Sequence, residues 1–433
     1  MLIRATIENV LSYDAPVVFS MEAGRITRQH MDHVVRVDGA RVLRGAIIYG
    51  PNAAGKSNFI QALYLLVRML RCDSCRLAFG KHFRLTHRPR RFMSWELIYS
   101  YGNAIFRYAV KTDGMMVAEE VLDVVENDDF INVFTRNKLS VRFGEGFRDE
   151  WFGNRSFQAS GFLLQKFFSD GIIERAETIA GAPKVVDAIR GLRMFRIIRP
   201  YSVPVPDSLG TLLNICEFTD FLERILKVAD LGIDGVFWRE CLRREADMVL
   251  SHSGIDGDLD FDGSRFFEWR HSMWVITVDG KKRSVRELRF KHKGVPMPMG
   301  NESDGTIRML HLSVFLFSLA MIDNIWLIDE IDSHLHPFLT RYILQEFLST
   351  SESAAQIIAT AHDTTLMTHD IWRTDEVWFA EKRVDGSSDL YSLYKYTPRF
   401  DKKLDKGYLQ GLYGAIPSIG GELLDYGKKR KNI

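Results

Sequence analysis

The eight residues Gly50-Pro51-Asn52-Ala53-Ala54-Gly55-Lys56-Ser57 constrain this chain more than any other stretch. They match G-x-x-x-x-G-K-[ST] at every fixed position. An apolar run, Val42 to Tyr49, leads in, and a helical pattern, Asn58 to Leu70, leads out. Strand, loop and helix in that order are the context in which this motif cradles phosphate. Glycines let backbone N–H groups turn inward around phosphate oxygens, and the helix N-terminus adds partial positive charge. Asn52, Ala53, Ala54, Gly55, Lys56, Ser57 and Asn58 are therefore the candidate nucleotide-binding residues. Lys56 is expected to reach the β/γ-phosphates and the Ser57 hydroxyl to ligate Mg2+. The alternative, a glycine-rich turn with a chance lysine, leaves the flanking strand and helix unexplained.

A length of 433 residues allows two or three domains, or one large interrupted one. The 57 basic and 56 acidic side chains nearly cancel, so global charge selects no partner. Four cysteines in this length suit a reducing, cytoplasmic setting. The start, Met1 to Glu8, alternates like a strand and has no signal-peptide pattern. The apolar run Leu310 to Ile328 is broken by His311, Asp323 and Asn324, so it reads as a core helix and a buried strand rather than a membrane span. Cys72 and Cys75, with His82 and His87 downstream, have the residue types of a zinc site. Their spacing is short and irregular, and both cysteines also continue the preceding helix.

Along the chain, Leu2 to Glu8, Pro16 to Met21, His33 to Val37 and Val42 to Tyr49 read as strands. Ser94 to Val110 and Met116 to Asn127 read as antiparallel strands turned by Gly102-Asn103 and Asp113-Gly114, and Phe130 to Phe143 extends that sheet. Helical patterns then cover Ser160 to Ile179, Ala182 to Arg193, Leu209 to Leu231 and Trp238 to Leu250, with Pro200, Pro204 and Pro206 interrupting them. Gly254 to Gly263 carries Asp256, Asp258, Asp260 and Asp262, but Phe267 stands where a calcium loop needs its bidentate Glu, so a solvated hairpin turn is expected. Phe266 to Val278 is a strand pair. Two basic segments, Arg68 to Arg91 and Lys281 to Lys293, are either solvated faces or contacts for DNA or an acidic protein.

Three later stretches sharpen the phosphate loop. Asn324-Ile325-Trp326-Leu327-Ile328-Asp329-Glu330 is a buried strand ending in two acids. Asp329 is placed to hold Mg2+ through water, and Glu330 to orient or deprotonate an attacking water. Glu302-Ser303-Asp304-Gly305-Thr306 opens the helix Ile307 to Ile322, with Ser303 as N-cap and Gly305 permitting close approach to a phosphate. Gln356 to Thr360 is a short strand followed by Ala361-His362-Asp363, and His362 can bond a γ-phosphate.

Phosphate loop, signature helix, Asp-Glu strand and histidine, in that order, resemble the ATP-binding-cassette (ABC) ATPases. The cytoplasmic branch is the nearer likeness: SMC-type proteins, RecF-type repair ATPases and the ATPase domains of overcoming-lysogenization-defect (OLD) nucleases. Glu302 to Thr306 stands at that superfamily's Leu-Ser-Gly-Gly-Gln signature, keeping Ser303 and Gly305 and departing at Glu302, Asp304 and Thr306. Asp329 to Pro337 matches the RecF/OLD form of the Asp-Glu strand and the loop after it, with His336 where transporters carry Asp. Together with Tyr408 to Pro417, these stretches look like the stand-alone bacterial "AAA family" ATPases of abortive-infection and anti-phage loci, the ATPase subunit of PARIS-type defence being one candidate.

The resemblance implies an α/β fold: an ABC-ATPase head with a mixed β-rich lobe and a parallel-sheet phosphate-loop core, interrupted by a mostly helical insertion. Residues 1–165 would form the N-terminal lobe, 166–285 the insertion and 286–433 the C-terminal lobe. ATP and Mg2+ are the implied cofactors. Head-to-head dimerisation is implied too, each ATP lying between Lys56 of one copy and Ser303 and Gly305 of another. Gln165, or less well Gln158, is the candidate metal-contacting glutamine. With about seventy residues after His362 and no Glu…Asp-x-Asp arrangement among them, the chain is expected to cut nothing itself, and, with its site complete only in an assembled state, to hydrolyse ATP slowly. Any nuclease or toxin effector is then a separate protein, set off by a phage-encoded trigger. The runner-up is a RecF-like ATPase that clamps duplex DNA; a transporter subunit fits the signature poorly.

Overall fold

The computed structural model describes residues 1–26, 29–85, 92–127, 129–145, 158–169, 182–199, 212–229, 231–252, 263–270, 272–279, 282–318, 323–349, 354–398 and 402–417. At its centre lies a six-stranded sheet in the order Phe195–Ile198, Ile325–Ile328, Gln356–Thr360, Gly45–Tyr49, Val377–Lys382, Ser388–Ser392. The first five strands are parallel and the last pairs antiparallel. Parallel strands are covered on both faces, which is why Gly45–Tyr49, Ile325–Ile328 and Gln356–Thr360 are buried along their whole length. Alternate side chains feed two cores. Ile48, Leu327 and Ile358 join the cluster of Phe59, Ile60 and Leu63 from the helix Lys56–Arg71. Ile47, Trp326, Ile328 and Ile357 join a second cluster with Leu310, Leu312 and Leu344 from the helices Asp304–Ser318 and Pro337–Ser349.

A seven-stranded antiparallel sheet covers the other side of Lys56–Arg71. Its order is Ser140–Phe143, Asp129–Asn137, Val117–Glu126, Ala104–Thr112, Met93–Tyr101, Leu2–Glu8, Val17–Ser20. Apolar residues at three- and four-residue spacing on two faces let that helix sit between the sheets. Trp95 fastens it by donating its indole N–H to the Ala62 carbonyl at 2.9 Å. The mixed α/β fold with a β-rich lobe and a parallel core is as the sequence led us to expect.

Several boundaries differ from the sequence pattern. Val42 to Tyr49 is two strands, Ala40–Leu43 and Gly45–Tyr49, in different sheets. The joint is Arg44, fully buried, whose guanidinium donates to the carbonyls of Phe347 and Leu348 and lies 5.0 Å from the Phe347 ring centroid. Phe195–Ile198, expected inside the insertion, is the edge strand of the central sheet. The described residues of the segment to 285 combine the helices Ala182–Arg193, Cys216–Val228 and Arg243–His252 with strands. Gly235–Glu240, Gly263–Trp269, Ser272–Asp279 and Lys282–His292 form an antiparallel sheet that Val295–Pro298 joins. Trp238 lies in a strand, and the helix expected from it begins at Arg243. The amphipathic helix Cys216–Val228 buries Phe218, Leu222 and Leu226, and Phe218 and Phe221 pack on Phe317. The acidic hairpin expected at 254–263 and the basic tail Lys428 to Lys431 fall almost wholly outside the described residues. Among the described residues, no helix is long and apolar enough to cross a membrane.

Candidate nucleotide site

The fully buried strand Gly45–Tyr49 delivers the phosphate loop at its C-terminal end. Gly50 has φ +146°, and a Cβ there would stand 2.2 Å from the Ala380 carbonyl oxygen, so only glycine fits. The loop then closes into the helix starting at Lys56. The Tyr13 hydroxyl donates to the Gly55 carbonyl at 3.0 Å, tying the β-rich lobe to the loop. The Lys56 ammonium donates to the carbonyls of Gly50 (2.7 Å) and Pro51 (3.1 Å). Burial holds its pKa below the usual lysine value, against the pull of Glu330, Asp329 and Asp332.

The acids arrive on the neighbouring strands. Ser57 Oγ donates to Asp329 Oδ1 at 2.9 Å, and Thr360 Oγ1 donates to the same oxygen at 2.7 Å. Thr360 Oγ1 in turn accepts the Glu330 backbone N–H at 2.8 Å. Glu330 has φ +49°, a left-handed conformation unusual for this residue type. His362 Nε2 lies 3.7 Å from Glu330 Oε1. Asp332 Oδ2 accepts the backbone N–H groups of His362 (2.7 Å) and Asp363 (2.6 Å), locking the two loops together. Asn52, Ala53, Ala54, Gly55, Lys56, Ser57, Asn58, Glu330 and His362 line one cavity of about 600 Å³, within the range of small-ligand sites. A hydroxyl and a carboxylate 2.9 Å apart beside that cavity are an oxygen-only donor pair, the chemistry Mg2+ takes.

Ser303 and Gly305 do not line this cavity. They open the helix Asp304–Ser318, where Ser303 Oγ accepts the Thr306 N–H at 3.2 Å as an N-cap does. Ser303 and Asp304 are exposed. Deeper in this helix, the buried Arg308 guanidinium donates to the carbonyls of Arg199 (2.9 Å), Asp329 (3.1 Å) and Glu330 (2.7 Å). Burial lowers its pKa to about 10, against the raising effect of Asp329, Asp332 and Glu330.

Gln165 is not brought to the cavity. Phe162, three residues before it, donates its N–H to Asp73, just beyond the far end of Lys56–Arg71. A helix of that length spans roughly 24 Å, too far for a glutamine side chain to return. Gln158 serves the β-rich lobe, its carbonyl accepting from Arg136 at 3.3 Å. His336 caps the helix Pro337–Ser349, its Nδ1 accepting the Phe338 N–H at 3.3 Å. Cys75 is buried and Cys72 exposed, and with His82 they form no ligand cluster among the described residues; His87 lies outside them. In the first basic segment Arg71 is spent on the carbonyls of Arg193 and Phe195. Sequence pattern did not mark Tyr13, Arg308 or Thr360, and gave Asp332 no role beyond its place in Asp329 to Pro337. Thr360 offered one signal: a hydroxyl ending an apolar strand directly before Ala361-His362.

A phosphate loop on a parallel sheet, with Ser57, Asp329 and Glu330 gathered at the strand ends, defines a P-loop ATPase. A family described as "AAA domain, putative AbiEii toxin, Type IV TA system" matches residues 46–177 and 255–368, more than half of the chain, and the chain belongs to that family. Comparison with curated proteins gives no match. Among solved structures, the SMC head domain from Thermotoga maritima is similar at 13% identity and a TM-score of 0.39, covering 90% of this chain and 98% of that one. An Smc head bound to the C-terminal winged-helix domain of ScpA is similar at 12% identity and a TM-score of 0.46, covering 94% and 99%. A Pyrococcus furiosus Smc head with an extended coiled coil, bound to the C-terminal domain of ScpA, gives 12% and 0.41, covering 92% and 97%.

Proposed function

We propose that this chain is the ATP-driven sensor of an anti-phage, abortive-infection system, working in the cytoplasm as a homodimer or larger homo-oligomer with a separate toxin or nuclease effector. One observation carries the reading. The phosphate loop, Glu330 and His362 meet at one cavity within the chain, while Ser303, at the start of a second helix, is exposed and Gly305 beside it is partly so. A second copy laid head to head would put its Ser303 and Gly305 on the γ-phosphate held by Lys56. The family description, with its toxin and toxin–antitoxin terms, supports the defence setting. A PARIS-like pairing of ATPase and effector is the particular form we favour, with a phage product as trigger.

In this reading Ser57 and Asp329 would hold Mg2+, which when bound offsets phosphate charge. Lys56 leaves the Gly50 and Pro51 carbonyls for the β/γ-phosphates. Glu330, its backbone fixed by Thr360, orients the attacking water and takes its proton. His362 bonds the γ-phosphate and reports its presence to Asp332 through the loop they share. Hydrolysis is slow because the site is complete only in the assembled state.

Subunit complementation tests this. Ser303→Arg and Lys56→Ala should each be inactive alone. Mixed one to one, random dimers should regain about a quarter of wild-type hydrolysis, since half are heterodimers with one intact site of two. A Ser303→Arg protein as active as wild type, or a mixture that stays dead while heterodimers form, would exclude the shared site. A DNA-clamping role is the second reading, favoured by the exposed Lys282, Arg283 and Lys291 on one strand. It requires ATP-dependent duplex binding that weakens steeply with salt.

A further inference from the structure

At the other end of the central sheet from the phosphate loop, the short helical turn Met31–His33 gathers a second chemical group. Ring nitrogens of His30 and His33 and a carboxylate oxygen of Asp32 all lie within 4.8 Å of one another. The surroundings orient both rings. His33 is buried, and its Nδ1 lies 3.0 Å from both carboxylate oxygens of the fully buried Glu376. A carboxylate accepts the Nδ1–H, which leaves the lone pair of the neutral ring on Nε2. His30 Nε2 lies 2.8 Å from the His369 carbonyl oxygen. A carbonyl can only accept, so the His30 lone pair is on Nδ1. Carboxylate and carbonyl partners of this kind orient metal-bound imidazoles.

His30 has φ +42° and ψ +57°, and its ring lies 4.5 Å from the His33 ring at an interplanar angle of 14°. The half-exposed His30 ring and the exposed Asp32 can tilt toward an ion, while His33 is held by Glu376, itself accepting the Arg373 N–H at 2.8 Å.

We propose that His30, Asp32 and His33 bind a divalent transition metal of the zinc class through two imidazoles and a carboxylate, with the fourth position open to water. Glu376 precedes the strand Val377–Lys382, and its carbonyl accepts the Ile47 N–H at 2.9 Å. The ion would tie residues 30–33 together, and His33 joins that turn through Glu376 to Ile47 on the strand whose far end carries the phosphate loop.

Metal uptake by the full chain tests the site. The protein is stripped with a chelator, loaded with Zn2+ or Co2+, desalted and assayed for bound metal. We expect one ion per chain and visible Co2+ bands of a four-coordinate nitrogen–oxygen site. His30→Ala and Asp32→Asn, both at the surface and so compatible with folding, should weaken uptake at least about tenfold. Cys72→Ser and Lys56→Ala should retain it. Three results would overturn the proposal: no stoichiometric uptake by the wild type, undiminished uptake by both His30→Ala and Asp32→Asn, or loss of uptake in Cys72→Ser.

Discussion

Two helix starts in this protein use the same device and present it in opposite ways. The helix Lys56–Arg71 begins inside a cavity, behind a loop braced by Lys56, Tyr13 and the acids. The helix Asp304–Ser318 begins at the surface, capped by its own Ser303. Yet four residues into the second helix, Arg308 grips the carbonyls of both Asp329 and Glu330. One helix start is finished within the chain. The other is exposed at its tip and fastened at its root to the acids of the first. Whatever anion meets Ser303 therefore acts on a helix already bonded to the residues that would do the chemistry.

Substitutions can break or sharpen that contrast. The largest effect is expected at Lys56→Ala, where phosphate release should fall about a hundredfold or more. Half-retained activity would mean that Lys56 does not meet the phosphates. Glu330→Gln should slow hydrolysis about a hundredfold while leaving ATP affinity nearly unchanged, so equilibrium binding and turnover should part company. Arg308→Met leaves three buried carbonyls without their donor and should cost about 4 kcal/mol in urea unfolding. An unchanged midpoint would mean that the two sites are not joined through this side chain. The smallest effect concerns His311, one turn further on, buried and pushed down to about 4 by desolvation and then by Arg308. Below the unfolded value near 6.5, the unfolded ring takes a proton that the folded ring refuses. Stability should thus drop by up to about 3 kcal/mol as pH falls from 6.5 to 4. His311→Leu should lose that part of the acid limb, measured as urea midpoints against pH.

The contrast also marks what local sequence can carry. Gly50 to Ser57 and Asp329-Glu330 were legible because each motif is contiguous and its chemistry needs those residue types in that order. Arg308 was not, because an arginine in a helical pattern reads as a surface charge until the chain brings three carbonyls to it. Gln165 was misplaced because its distance from the cavity is set by Asp73, 92 positions earlier, and not by anything nearby. Phe195–Ile198 escaped notice because it is four residues long and contains Arg196; only pairing with Ile325–Ile328 makes it a strand. Val42 to Tyr49 read as one strand because alternation cannot show that Arg44 turns inward between two sheets.

That edge strand has a mechanical consequence. The chain leaves the central sheet after Ile198 and re-enters it at Ile325, one strand over. The described residues between are therefore joined to the sheet through two adjacent strands, the second of which ends at Asp329 and Glu330. The Ile198 carbonyl accepts the Asp329 N–H at 2.8 Å, and Arg308 bridges Arg199 to Glu330. A partner tugging on the inserted segment would load this hinge directly, and a shift of a fraction of an ångström there would move Asp329 and Glu330 together.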